Sequence, residues 1–247
     1  MSILEKMYGP FFDLHNWETV ITTKQDWIII LSLVVLECVL SVDNAIVLAA
    51  QTQTLPTKKE QEESLFYGLW GAYIFRFILI GLGSFLINFW EIKVLGAIYL
   101  VYLSVSHFYE IAHPEKVHHK NKKKRKGLLS WLSPFWQVVV SIELMDLVFS
   151  VDSILASLAV SPNPVIVLIG GMIGILCMRG VAEIIMRLMD ILPELKVMAY
   201  ALIGIIGIKL FISIPAIGIE VPATYFGILV LVAFVITLIV HLIRRNK

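Results

Sequence analysis

The chain of 247 residues is 58% hydrophobic and only 16% charged, with a mean hydropathy of +0.85, whereas an ordinary soluble domain carries roughly 25% Asp, Glu, Lys and Arg. That composition excludes a water-soluble globular protein, and a net charge of +1 offers no basic surplus for nucleic acid, so no nucleic-acid partner is expected. The apolar residues come in blocks near the ~20 residues a helix needs to cross a bilayer, which predicts an all-α, multi-pass membrane protein surrounded by lipid.

In chain order, residues 1–26 are interrupted by Glu5, Asp13, Glu18 and Asp26, unlike the apolar core of a cleaved signal peptide. With Tyr8, Phe11, Phe12, Leu14 and Trp17 among them, they are expected to form an extracytoplasmic, interfacial segment. Seven spans are then expected near residues 27–50, 65–88, 94–111, 134–160, 164–189, 195–213 and 225–243. Trp27, Trp90, Trp131 and Trp136 fall at span ends as interfacial anchors. Between the third and fourth spans, within residues 112–133, lie Lys116, Lys120, Lys122, Lys123, Lys124, Arg125 and Lys126, a basic loop that belongs in the cytoplasm. Alternation puts Lys58, Lys59, Lys196 and the Arg244, Arg245, Lys247 tail on the same side, so the N-terminus is expected outside and the C-terminus inside a plasma or inner membrane. His113, His118 and His119 of the loop lack the Cys or carboxylate neighbours of a metal site and are read as part of a lipid-facing basic segment. Cys38 and Cys177 lie in apolar blocks and are read as small hydrophobes.

The halves of the chain resemble each other. Glu37-Cys-Val-Leu-Ser-Val-Asp43-Asn44 aligns without a gap to Asp146-Leu-Val-Phe-Ser-Val-Asp152-Ser153, and Gly68, Gly71 and Arg76 have the spacing of Gly171, Gly174 and Arg179. Each half holds three spans, residues 27–111 and 134–213, with residues 214–247 adding a seventh helix and a basic tail. An odd number of crossings makes the second half enter from the opposite face, the inverted repeat of many secondary transporters. Gly170 with Gly174, and Gly204 with Gly207, are read as close helix packing.

Five carboxylates, Glu37, Asp43, Glu143, Asp146 and Asp152, fall within these spans. At about 2.5 to 3.5 kcal/mol each they would cost roughly 12 to 18 kcal/mol unpaired. Glu143, Asp146, Ser150 and Ser153 follow one helical face, as do Glu37, Ser41 and Asn44. Asp43 and Asp152 sit about 100° off those faces, so either they point at a neighbouring helix or the backbone unwinds at Ser-Val-Asp, the option favoured by discontinuous transporter helices. Arg76, Arg179 and Lys209 balance part of the charge, and His107, placed where the second half has Lys209, is a weaker pairing candidate. Two negative charges remain, for a divalent cation or for protons. Carboxylates, hydroxyls and an Asn amide suit a hard, oxygen-preferring ion such as Mn, Mg or Ca.

These motifs, Glu37 to Asn44, Phe75-Arg76 and Glu143 to Ser153, resemble the TerC family of integral membrane proteins, grouped with the LysE-type transporters. The resemblance spans nearly the whole chain. It implies export of Mn(II) as transported substrate, with Glu37, Asp43, Asn44, Glu143, Asp146, Asp152 and Ser153 as its ligands and no prosthetic group. Proton coupling is expected, since metal and proton compete for the same oxygens. Kinship with LysE-type transporters leaves export of cationic amino acids or other organic cations open, and a non-transporting membrane scaffold for metal delivery is a third reading. Enzymatic activity is not expected: no His-Glu-x-x-His, P-loop or Gly-x-Ser-x-Gly motif occurs.

Overall fold

The computed structural model describes residues 3–82, 90–113, 132–219 and 221–245, which form helices and short connections with no strand among them. The helices are α1 (Ile3–Phe12), α2 (Leu14–Thr22), α3 (Lys24–Leu40), α4 (Val42–Thr52), α5 (Lys58–Leu82), α6 (Trp90–Ala112), α7 (Pro134–Val160), α8 (Pro164–Ile191), α9 (Glu194–Ile212) and α10 (Ala223–Arg245). Local chemistry sets several of these boundaries. Ser133 and Asn163 cap α7 and α8 through their side chains, each followed by a proline whose missing N–H costs nothing in a first turn.

Among the described residues, α5, α6, α8, α9 and α10 are each long and apolar enough to cross a membrane, and the pair α2 and α3, bent by 86° where they meet, makes a sixth if counted as one span. The expected first span, 27–50, is shared between α3 and α4, and the expected fourth, α7, stands outside that set with three acids along its 27 residues. The end of the expected second span at Asn88, the basic run Lys116 to Lys126, Trp131 and Lys247 lie outside the described residues.

Helices of the first half pack chiefly on helices of the second: α6 on α9, α3 on α8, α5 on α7. Glycines bring them close. A β-carbon on Gly170 would fall 2.9 Å from the Leu33 Cβ, one on Gly207 2.9 Å from Val101, and one on Gly204 2.7 Å from the Ser104 hydroxyl, so these positions serve packing, as small residues do between membrane helices. At the N-terminus, α1 and α2 dock on the bundle. The Tyr8 hydroxyl donates to the Ile78 carbonyl at 3.0 Å, the Phe11 and Phe77 rings lie 4.9 Å apart, and Asn16 and Asn163 exchange amide hydrogen bonds at 2.8 and 3.3 Å. α10 turns most of its apolar surface outward and is tied to the start of α9 through His241 and Arg244, which lie 3.0 and 3.7 Å from the Glu194 carboxylate. Trp27, Trp90 and Trp136 are exposed on the bundle surface.

A candidate ion site among the buried carboxylates

Both oxygen-bearing faces turn inward: Glu37, Ser41, Glu143, Asp146, Ser150 and Ser153 are all buried. The two glutamates are held by arginines of their own half. Arg76 on α5 donates to both oxygens of Glu37 at 2.9 and 2.6 Å, with each residue at most 3% exposed. Arg179 on α8 reaches Glu143 through one longer contact of 3.4 Å and spends another N–H on the Leu65 carbonyl at 3.1 Å. A guanidinium fork matched to a carboxylate is the strong form of this pair, and only the first half has it.

The glycines aligned in the sequence make room for these pairs, each from the opposite half. A β-carbon on Gly171 would meet the Arg76 guanidinium and one on Gly174 the Glu37 side chain; one on Gly68 would meet Arg179 and one on Gly71 Glu143. Glu37 and Glu143 therefore occupy equivalent environments. This corrects the gapless alignment, which matched Glu37 with Asp146. The two halves also differ in backbone: α3 gives way to α4 at Ser41 (φ −101°, ψ 12°), while α7 runs on without interruption. The expected unwinding at Ser-Val-Asp is thus confined to one residue of the first half, bracketed by backbone bonds from Ser41 N to the Glu37 carbonyl and from Ala45 N to the Ser41 carbonyl.

The aspartates point at neighbouring helices and pair across the halves. Lys209 on α9 donates to Asp43 at 2.9 Å and sits 4.9 Å above the Phe226 ring, while Lys93 on α6 pairs with Asp152. Lys93, not His107, is the base that answers Asp152. His107 instead stacks on Tyr200, ring centroids 3.6 Å apart. The five acids thus face four bases.

Asp146 is the acid left over. It is 8% exposed, and among the described residues it has no ion-pair or hydrogen-bond partner, although it feels the fields of Arg179 and Arg76. It lines a small cavity with Asn44, Gln51, Ile142, Met145 and Met178, with room for little more than a water-sized centre. Two nearby polar groups are also unmatched: the Gln51 amide nitrogen, in the cavity wall, and the second oxygen of Glu143, one turn from Asp146 on α7. Both are costly to bury unpartnered, and of the two the Glu143 oxygen is an acceptor open to a cation while the Gln51 nitrogen is a donor. The residues expected as ligands are therefore not gathered at one point. Asp146 and Asn44 share the cavity, Glu37, Asp43, Glu143 and Asp152 are engaged by bases, and the Ser153 hydroxyl is turned to the Ser150 carbonyl at 3.3 Å. No three His, Cys, Asp or Glu side chains converge on a metal position among the described residues.

Residues 22–247 match the family model described as the integral membrane protein TerC family. The chain belongs to this family. It is 49% identical over 240 residues to membrane protein YceF of Bacillus subtilis, covering 97% of this chain and 91% of that one. It is 34% identical over 224 residues to membrane protein YkoY of the same organism, covering 83% of this chain and 66% of the relative. A more distant relative, the UPF0053 inner membrane protein YgdQ of Escherichia coli K12, is 24% identical over 220 residues, covering 83% and 88%. No solved structure matches the chain.

Two residues of this TerC-family site escape the motif reading. Gln51 follows Asn44 by seven residues and so continues the polar face of the first half, a signal present in the spacing. Lys93 stands one residue before the apolar block that marked the third span, where a lysine reads as a flanking charge. Only the approach of α6 to α7 turns it toward Asp152.

Proposed function

We propose that this TerC-family protein exports a divalent metal ion, Mn(II) foremost, across the cell membrane by alternating access. The ion rests against Asp146, with Glu143 and the side-chain oxygens of Asn44 and Gln51 completing an oxygen-only set that suits a hard cation. Glu37 stays with Arg76 as a fixed anchor. Asp43 and Asp152 exchange their lysines for the ion as it passes, with Ser153 beside the second of them, and protons returning to the vacated carboxylates carry the coupling. Inverted three-helix halves, with the N-terminus outside and the basic loop and tail in the cytoplasm, supply the two access states. No prosthetic group and no bond-making chemistry enter this scheme.

The observation that carries the reading is Asp146, a buried acid with no bonded base among the described residues, beside an unmatched oxygen of Glu143 and a small cavity. The test is Mn(II) movement in proteoliposomes holding the purified protein, with calorimetric titration of Mn(II) in detergent. Transport by the wild type, together with loss of both transport and binding in a well-folded Asp146→Asn variant, is the expected result. Binding without transport would make the protein a delivery scaffold, and Lys or Arg uptake without Mn(II) uptake would make it an organic-cation exporter.

A further inference from the structure

The oxygens at Asp146 select a hard cation without choosing among Mn(II), Mg(II) and Ca(II), which all take carboxylate and amide oxygen. The same cavity has a second kind of donor. Three helices wall it: α4 brings Asn44 and Gln51, α7 brings Asp146 and the residue before it, Met145, and α8 brings Met178, the residue before Arg179. Met145 and Met178 are only 6% and 4% exposed, so both are shut away from bulk water. The other side chains of the wall are hydrocarbon. A side-chain lone pair there comes from Asn44, Gln51 and Asp146 or from these two sulfurs. Buried methionines commonly fill irregular gaps in a core. These two stand beside unbalanced negative charge, an acid with no bonded base among the described residues and an unmatched oxygen of Glu143 one turn away.

We propose that Met145 and Met178 are the specificity-determining residues of this site, their thioether sulfurs joining the oxygens around the ion and selecting transition-metal ions over Mg(II) and Ca(II). The inference rests on the proposed ion position at Asp146. Sulfur is polarizable and weakly basic, so it returns little to an ion whose bonding is almost purely electrostatic. Mg(II) and Ca(II) therefore lose more hydration on entering such a wall than its sulfurs give back. Mn(II), and Cd(II) still more, recover part of that loss through covalent character in the metal–sulfur bond. Asp146 then decides whether a cation binds, and the two methionines decide which.

The experiment titrates Cd(II), Mn(II) and Ca(II) calorimetrically into the purified full-length protein in detergent, with Cys38→Ser and Cys177→Ser in every sample so that thiols do not take up cadmium. Cd(II) and Ca(II) have nearly equal ionic radii, so the ratio of their affinities reports softness and not size. Met145→Leu and Met178→Leu conserve side-chain volume and keep the core filled. Each is expected to weaken Cd(II) binding about tenfold and Mn(II) binding about threefold, while Ca(II) stays within about twofold. Equal changes for the three ions, or no change, in well-folded variants would overturn the proposal. Where size-exclusion chromatography shows that a leucine variant does not fold, selenomethionine in place of every methionine serves instead. It keeps the shape and softens the donor, so the Cd(II) to Ca(II) ratio should rise, and an unchanged ratio counts against the sulfurs. Asp146→Asn separates the donors from the site. Loss of Mn(II) binding in that variant, with a Cd(II) to Ca(II) ratio indifferent to both leucines, would sink the thioethers and keep the site. Mn(II) binding that is absent from the parent, or that survives Asp146→Asn, would remove the site and this inference with it.

Discussion

Two glutamate–arginine pairs sit in matching glycine cradles on opposite halves of the chain, yet they differ. Glu37 and Arg76 are buried and doubly bonded at 2.9 and 2.6 Å, and Ser41 donates to Glu37 as well, though the Arg76 Nε is left without a partner. Glu143 and Arg179 share one contact at 3.4 Å, an oxygen of Glu143 is left over, and a second acid, Asp146, stands one turn away. A buried pair joined by two short bonds resists exchange, because removing either partner strands a charge in a low-dielectric surround. A pair that is under-matched and carries surplus negative charge can accept a cation. The first half therefore reads as the anchor of the bundle and the second as its working side.

The largest effect should follow from breaking the anchor. Arg76→Ala is expected to lower stability by about 3–5 kcal/mol by leaving Glu37 unpaired, enough to deplete the folded protein from membranes. Thermal unfolding in detergent measures it, and a loss no greater than that of Arg179→Ala would erase the distinction between the halves. Next comes the cradle. Gly174→Ala drives a methyl into the Glu37 side chain and should cost about 1–3 kcal/mol. Gly180→Ala, on the same helix with nothing within 4 Å, should instead gain up to about 1 kcal/mol of helix propensity. If the two substitutions shift the melting temperature alike, close approach is not what these glycines serve.

On the working side the stability effects shrink while the binding effects grow. Asp146→Asn removes a charge that acts on Arg179 through space without bonding it, and should cost less stability than Arg76→Ala even as Mn(II) binding disappears. Because carboxylates ligate metal only when deprotonated, Mn(II) affinity of the wild type should fall as the solution is taken from about pH 8 to about pH 6, with proton release on binding. Titrations in buffers of different ionisation enthalpy would reveal that release, and a pH-independent affinity would remove proton coupling while sparing the site. Smallest of all, Lys93→Gln should change stability by less than about 1 kcal/mol, since Asp152 is half exposed. A loss as large as that of Arg76→Ala would show that the pairs linking the halves, and not those within them, hold the bundle.

The sequence by itself determined that the chain is an all-helical membrane protein, because hydropathy and charge density are local properties that lipid reads residue by residue. It also determined that Glu143, Asp146, Ser150 and Ser153 share one helical face wherever the helix is placed. Periodicity likewise paired Gly68 and Gly71 with Gly171 and Gly174 before any contact was known. Which base answers which acid was decided only by tertiary structure. Lys93 reaches Asp152 because α6 lies against α7, and His107 is diverted to Tyr200 by the packing of α6 on α9. The equivalence of Glu37 with Glu143 was likewise hidden, because it lies in which glycines of the opposite half each side chain meets, Gly174 and Gly71, and a gapless alignment compares no contacts. Charge counting along the chain can say that some acid must be left over; only the distances between helices show that it is Asp146, since Coulomb attraction selects partners by proximity in space and not by order in sequence.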